Sequence, residues 1–177
     1  MIAGTTAVAH LGLGSNVGDR RAMLQAAVDG LAQRGVRPTA SSSTYETDPV
    51  GDVRDQPAFL NACIAVATML APDALLGVVK DVERALGRVT EGPGYVHHGP
   101  RPIDVDVLLH GGRAYRSGRL TIPHPALLER RFVLIPLLEL DFALTTPGGE
   151  RLADALAALP VTEGVRRAGP PLELPAA

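Results

Sequence analysis

Hydrophobic and polar positions change period several times along this 177-residue chain. Residues 5–13 are apolar and read as a strand, ending in a turn with Gly12, Gly14, Ser15, Asn16 and Gly18. Residues 19–34 place Met23, Leu24, Ala27, Val28 and Leu31 on one face, the spacing of a helix whose first turn falls near Asn16 to Asp19. Residues 38–46, rich in Ser and Thr, read as a second, partly exposed strand, and residues 48–57 as a loop. Residues 58–70 alternate: Phe59, Asn61, Cys63 and Ala65 share one face, and Leu60, Ala62, Ile64 and Val66 the other. Pro72 opens a helix carrying Leu75, Leu76, Val79, Val82 and Leu86, and Gly87 ends it.

Residues 88–102 form a Gly- and Pro-bearing loop, expected to be mobile. Residues 102–110 read as a fourth strand and residues 111–122 as a short hairpin. Residues 125–140 predict a helix broken or kinked at Pro136, and residues 152–159 a last short helix. The order is β-α-β-β-α-β, which predicts an α+β fold of the ferredoxin-like, split βαβ kind, with a hairpin and a C-terminal helical extension. Residues 1–160 are expected to form one domain, and residues 161–177, with Pro, Gly and few large apolar side chains, a loosely ordered tail.

Composition narrows the function. Hydrophobic content of 46% suffices for a core, and a net charge of −2 offers no global field for nucleic acid or an anionic membrane. Lys80 is the only lysine, so the basic charge is otherwise arginine. Cys63 is the only cysteine, which fits a reducing, cytoplasmic compartment and reads as a small buried hydrophobe. No 18-residue apolar run predicts a membrane span, and the apolar start lacks the basic flank of a signal peptide. Monomer is the default state.

The run His97 to His110, H-H-G-P-R-P-I-D-V-D-V-L-L-H, carries the most chemistry. Asp104 and Asp106 alternate with Val105 and Val107, so their carboxylates share a strand face with Cα atoms roughly 6.6 Å apart. Two carboxylates on an apolar strand are either a solvated edge or a site for a hard cation such as Mg²⁺ shared with phosphate oxygens. Arg101, behind Gly99 and Pro100, favours phosphate chemistry. The turn after the first strand fits neither G-x-G-x-x-G nor a P-loop and reads as a strand-to-helix cap. Phe59 and Asn61 can hold a flat heterocycle, although spacing alone reads them as a core ring and a strand-edge amide. His124, between two prolines, is placed to donate to phosphate or to serve structure, and Arg130 and Phe132 follow it. His97 and His98 raise a mixed His/Asp transition-metal site, which their spacing does not favour.

Taken in order, several stretches resemble one family. They are L-G-L-G-S-N-V-G-D, Y-E-T-D-P-V-G from Tyr45, D-Q-P-A-F-L-N from Asp55, E-R-A-L-G-R from Glu83, G-P-R-P-I-D-V-D, and L-T-I-P-H-P-A-L-L-E-R-R-F-V-L-I-P-L. Together they resemble the 6-hydroxymethyl-7,8-dihydropterin pyrophosphokinases of folate biosynthesis. The resemblance implies transfer of the β,γ-diphosphate of ATP to the pterin hydroxymethyl group, with release of AMP. It implies that Asp104 and Asp106 bind two Mg²⁺ ions. Phe59 and Phe132 would sandwich the pterin, with Asn61, Thr47 and backbone groups near Asp48 and Val50 at its edge. Arg88 and Arg101 would join the aspartates in catalysis and, with Glu83, Val107, Arg119, Thr121, His124 and Arg130, would surround ATP. The chain departs from the family at Thr90, commonly basic, at His98, commonly tryptophan, at Asp48, commonly proline, and in the added Gly92-Pro93-Gly94. A nucleotidyltransferase and a non-catalytic nucleotide- or pterin-binding module are the competing functions. The first would require a basic, aromatic path that three Phe and three Tyr do not supply.

Overall fold

The computed structural model describes residues 5–49, 55–93, 95–161 and 164–176. Its sheet is antiparallel throughout. Strand β1 (Ala7–Ser15) lies between β4 (Phe59–Thr68) and β5 (Asp104–His110). Strands β2 (Arg37–Ser41) and β3 (Thr44–Thr47) follow one another along the other side of β4, and β8 (Val165–Gly169) pairs with β3. A second, two-stranded sheet joins β6 (Tyr115–Arg116) to β7 (Thr121–Ile122). The expected α+β class is what the chain adopts.

Alternation along the central strands sorts their side chains into two layers. Leu11, Leu13, Ala62, Ile64, Val105 and Val107 form one core beneath helices α1 (Arg20–Gln33) and α2 (Pro72–Ala85). Helix α1 begins after Asp19, whose carboxylate accepts from the Ala22 N–H at 3.0 Å, and it buries Leu24, Ala27, Val28 and Leu31. Each such fully buried Leu contributes about 2 kcal/mol of transfer free energy. The opposite sheet face is covered along part of its length only. There Cys63 and Leu108 meet Val133, Leu134 and Leu137 of helix α3 (Arg131–Leu140), backed by α4 (Leu152–Ala158). The uncovered remainder of that face carries Asn61, Asp104 and Asp106 and lines a cleft.

Four expectations are corrected. The strand expected over residues 38–46 is two strands, interrupted where side chains take over part of the pairing: the Ser42 N–H still donates to the Cys63 carbonyl at 2.9 Å, but the return bond does not go to main chain. Ser42 Oγ accepts the Cys63 N–H at 3.0 Å, and Ser43 donates N–H and Oγ to Glu139 Oε1 at 3.0 and 2.7 Å. The helix expected from residue 125 is a single 3₁₀ turn, Leu127–Glu129, followed by extended Arg130 and then α3. The break therefore falls at Arg130, and α3 runs through Pro136. The strand expected from residue 102 starts at Asp104. Finally, part of the segment expected to be loose is anchored: β8 extends the sheet and Leu172 is buried in the core. The low apolar content of that segment misled because its anchoring is by main-chain pairing, by hydrogen bonds with Arg21 and Gln25, and by one leucine.

Candidate active site

The open part of the sheet is built from three neighbouring strands in register. Gly14 of β1 pairs with Asn61 of β4 on one side and with Asp104 of β5 on the other, and Gly12 pairs with Asp106. The absence of a side chain at Gly14 is required: a Cβ there would lie 2.8 Å from Asn61 Oδ1. Asn61 is buried and donates Nδ2–H to Thr47 Oγ1 at 2.6 Å, which orients its carbonyl across Gly14. Thr47, Asp48, Phe59, Asn61, Phe132, Arg101, Arg130, Asp104 and Asp106 line one cleft. The Arg101 guanidinium stands 5.0 Å from the Phe59 ring centroid, and that of Arg130 5.8 Å from Phe132.

A second cleft adjoins the first through Arg101, Asp104, Asp106 and Arg130 and adds Lys80, Arg88, His97, His98 and His124. A third shares Lys80, Asp106 and His124 and adds Val107, Arg119 and Thr121. Asp106 borders all three. Val50 lies outside the described residues.

Charge is unevenly divided between the two aspartates. Arg88 Nη1 donates to Asp104 Oδ1 and, at 2.8 Å, to the Ile103 carbonyl. Arg101 Nε stands 3.0 Å from Asp104 Oδ2, an ion pair whose angle falls short of a hydrogen bond. Burial alone would raise the Asp104 pKa, but Arg101, Arg88 and Lys80 outweigh it and hold the carboxyl below its ordinary value. Among the described residues Asp106 forms no such ion pair. Burial, and then the charge of Asp104, push its pKa up to about 6.

His124 donates its N–H to the Leu108 carbonyl at 3.0 Å, and its Nδ1 accepts the Ala126 N–H at 3.1 Å. The neutral ring therefore carries its proton on Nε2. Burial and the charge of Arg130 lower its pKa, so this neutral tautomer is the one present near pH 7. Asn16 fastens the loop before β5: its Oδ1 accepts the Arg101 N–H at 2.8 Å, while its Nδ2 donates to Gln56 Oε1 and the Pro57 carbonyl at 3.0 and 3.1 Å. Nearby, the His97 and His98 rings lie 3.8 Å apart, and His98 has φ 58°.

Sequence reasoning located most of these groups and misplaced one. Glu83 borders none of the three clefts. It is 1% exposed on α2, beneath β5, where Oε1 accepts the Val105 N–H at 2.7 Å and Oε2 meets Lys80 Nζ at 2.8 Å. Lys80 and Asn16 were missed. Lys80 had a signal, being the single lysine and one turn from Glu83. Asn16 had none beyond its glycine-rich turn. Among the described residues no three His, Cys, Asp or Glu side chains gather as a metal site, so His97 and His98 do not complete one with the aspartates. Cys63 is buried, with its thiol pKa raised by burial. No helix among the described residues is long and apolar enough to cross a membrane.

An antiparallel α+β sheet presenting paired carboxylates, flanking arginines and two phenylalanines is a site of the class suited to an anionic ligand beside a flat ring. The family model of 7,8-dihydro-6-hydroxymethylpterin-pyrophosphokinase (HPPK) matches residues 10–142, and the chain belongs to that family. It is 49% identical over 152 residues to the 2-amino-4-hydroxy-6-hydroxymethyldihydropteridine pyrophosphokinase of Methylorubrum extorquens, covering 85% of this chain and 92% of that protein. It is 44% identical to the enzyme of the same name from Bacillus subtilis, covering 75% of this chain and 77% of that one. A folate synthesis bifunctional protein of Arabidopsis thaliana is 44% identical over 73% of this chain, which spans 26% of that longer protein. A crystal structure of HPPK-DHPS in complex with substrates shares the fold, with a TM-score of 0.68 at 14% identity, over 86% of this chain and 43% of that one.

Proposed function

We infer that this chain transfers the diphosphoryl group of ATP to 6-hydroxymethyl-7,8-dihydropterin, giving AMP and the pterin diphosphate in folate biosynthesis. The observation that carries this reading is the position of Asp104 and Asp106 at the join between a ring-lined cleft and an arginine-lined one. Family membership and the relatives' names support it.

The pterin lies between Phe59 and Phe132, with Asn61 and the main chain at Thr47 and Asp48 reading its edge. The triphosphate crosses toward Arg88, Arg101, His124 and Arg130, and the nucleoside toward Val107, Arg119 and Thr121. The hydroxymethyl oxygen attacks the β-phosphorus and releases its proton to water, the bond from that phosphorus to the oxygen bridging to the α-phosphate breaks, and AMP departs with that oxygen. Such transfers depend on in-line positioning and on charge placed where the transition state needs it. Arg88 and Arg101 share the single carboxylate of Asp104 and keep donors for phosphate oxygens. His124 presents Nε2–H as a neutral donor.

Two Mg²⁺ ions fit the donor set. Asp104 and Asp106 are hard oxygen ligands, and among the described residues Asp106 forms no ion pair that would occupy its carboxylate. Substrate phosphates and water would complete the coordination, as few other acidic side chains are at hand. When bound, the ions supply charge neutralisation for the triphosphate.

The test is mass-spectrometric product analysis after mixing the protein with ATP, Mg²⁺ and the hydroxymethyl pterin. AMP and a diphosphorylated pterin are expected. ADP, or no turnover by folded protein that binds both substrates, would overturn the reading.

A further inference from the structure

The family model ends at residue 142, yet the chain continues and returns to β3, whose end Thr47 lines the cleft. Strand β8 pairs with β3 so that Val165 lies opposite Thr47 and Arg166 opposite Glu46. The Asp48 N–H donates to the Gly164 carbonyl at 3.3 Å. Arg166 Nη2 stands 3.5 Å from Glu46 Oε1 and 3.6 Å from Asp48 Oδ1. The Asp48 carboxylate crowds Gly164 so closely that a Cβ there would collide with it. Beyond β8 the chain is tied down again. Arg21 donates to the Pro170 and Pro171 carbonyls, each at 3.0 Å, and Gln25 exchanges two hydrogen bonds with Glu173. Leu172 is 3% exposed in the core.

We propose that the segment from Gly164 to Leu172 is a positioning element for the heterocycle side of the cleft, acting through Gly164 and Arg166 on Thr47 and Asp48. The proposal rests on the reading of that cleft as a pterin site. Thr47 ends β3 and fixes Asn61, and Asp48 begins the chain that leaves the sheet at the cleft wall. A strand end with one neighbour frays, whereas one paired on both sides holds its main-chain groups in place. Recognition of a flat ring edge needs donors and acceptors held within a few tenths of an ångström. Arg166 also shares Glu46 with Arg20, whose Nη2 is 2.8 Å from Glu46 Oε2, so β3 is braced from α1 and from β8. Among the described residues no hydrogen bond or ion pair joins Arg88, Arg119 or His124 to this segment, so the element governs pterin and not ATP.

The test uses the full chain with Gly164→Ala, Arg166→Ala and Arg166→Lys. The Gly164→Ala methyl meets the ends of two movable side chains, Asp48 and Arg166, and leaves the core alone. Binding of 6-hydroxymethyl-7,8-dihydropterin is followed by its fluorescence, ATP binding by calorimetry, and turnover by AMP release. Gly164→Ala and Arg166→Ala are expected to weaken pterin binding and raise its KM about 5-fold, the scale of one disordered contact, with kcat and ATP affinity within about twofold. Arg166→Lys is expected to recover most of the loss. Pterin affinity within about twofold of wild type in both variants, or an equal loss of ATP affinity, would overturn the proposal. Wild-type protein that binds no pterin would overturn the reading of the cleft itself, whereas normal wild-type binding with unmoved variants overturns this proposal alone.

Discussion

The Glu83 carboxylate holds the main chain between the two aspartates, its Oε1 accepting the Val105 N–H at 2.7 Å from beneath the strand. Burial raises the Glu83 pKa, against the pull of Lys80, Arg88 and the Val105 N–H. Those partners offset the cost of its burial in part. Truncation to Glu83→Ala strands the Val105 N–H and Lys80 and should lower stability by about 2–4 kcal/mol. Glu83→Gln keeps an acceptor for Val105 and should cost less than half as much. Urea unfolding of both variants decides the matter: equal losses would mean the Val105 hydrogen bond does not govern the effect.

Asp106 should trade stability for activity. Its folded pKa, raised to about 6, means that the unfolded state holds the ionised carboxylate more readily. Stability from this group is therefore greatest when it is protonated, and falls as pH rises from about 4 to about 6. At pH 7 Asp106→Asn relieves that cost and should raise stability by about 1–3 kcal/mol. The same change should lower kcat about 100-fold or more, the scale of losing one key charge. Thermal melting and AMP release, measured on one preparation, should move in opposite directions. A variant within about threefold of wild-type turnover would remove Asp106 from the reaction.

Gly14→Ala should act on the pterin rather than on ATP. The new methyl forces Asn61 Oδ1 away and with it the 2.6 Å bond to Thr47. Calorimetry is expected to show pterin affinity reduced about 10-fold and ATP affinity nearly unchanged, since one misplaced polar contact costs about 1–2 kcal/mol. Equal losses for the two ligands would point to a general disturbance of the sheet.

Glu139 should set part of the acid limit of the fold. It accepts from the Ser43 N–H, the Ser43 hydroxyl and the Tyr45 hydroxyl, the last at 2.7 Å. Burial alone would raise its pKa, but these hydrogen bonds lower it below the ordinary Glu value, while the Tyr45 phenol is pushed up to about 12 by burial and Glu139. A folded pKa below the unfolded one stabilises the protein above the unfolded pKa, and that contribution is lost as pH falls through the folded pKa. Glu139→Gln should remove about 1 kcal/mol at pH 7, a modest figure because the group is exposed, and should flatten the stability profile below about pH 4.5. An unaltered acid limb in the variant would show that other carboxylates set it.

Which side chains share a face was legible in the chain before folding was considered. A two-residue period along residues 59–66 and 104–108 is local backbone geometry, so Asn61 with Phe59, and Asp104 with Asp106, could be grouped before any fold was known. Pro72 and Gly87 likewise marked the ends of α2 through their own conformational limits. Tertiary structure alone decided which face is open, because α3 covers Cys63 and Leu108 but stops short of Asp104. It also decided that Glu83 supports the strand from below, although its neighbour in sequence and its chemistry suited the nucleotide equally. The docking of β8 on β3 was hidden for the same reason. Pairing of Thr47 with Val165 depends on a free sheet edge meeting a distant segment, and main-chain donors and acceptors leave no signature in side-chain periodicity.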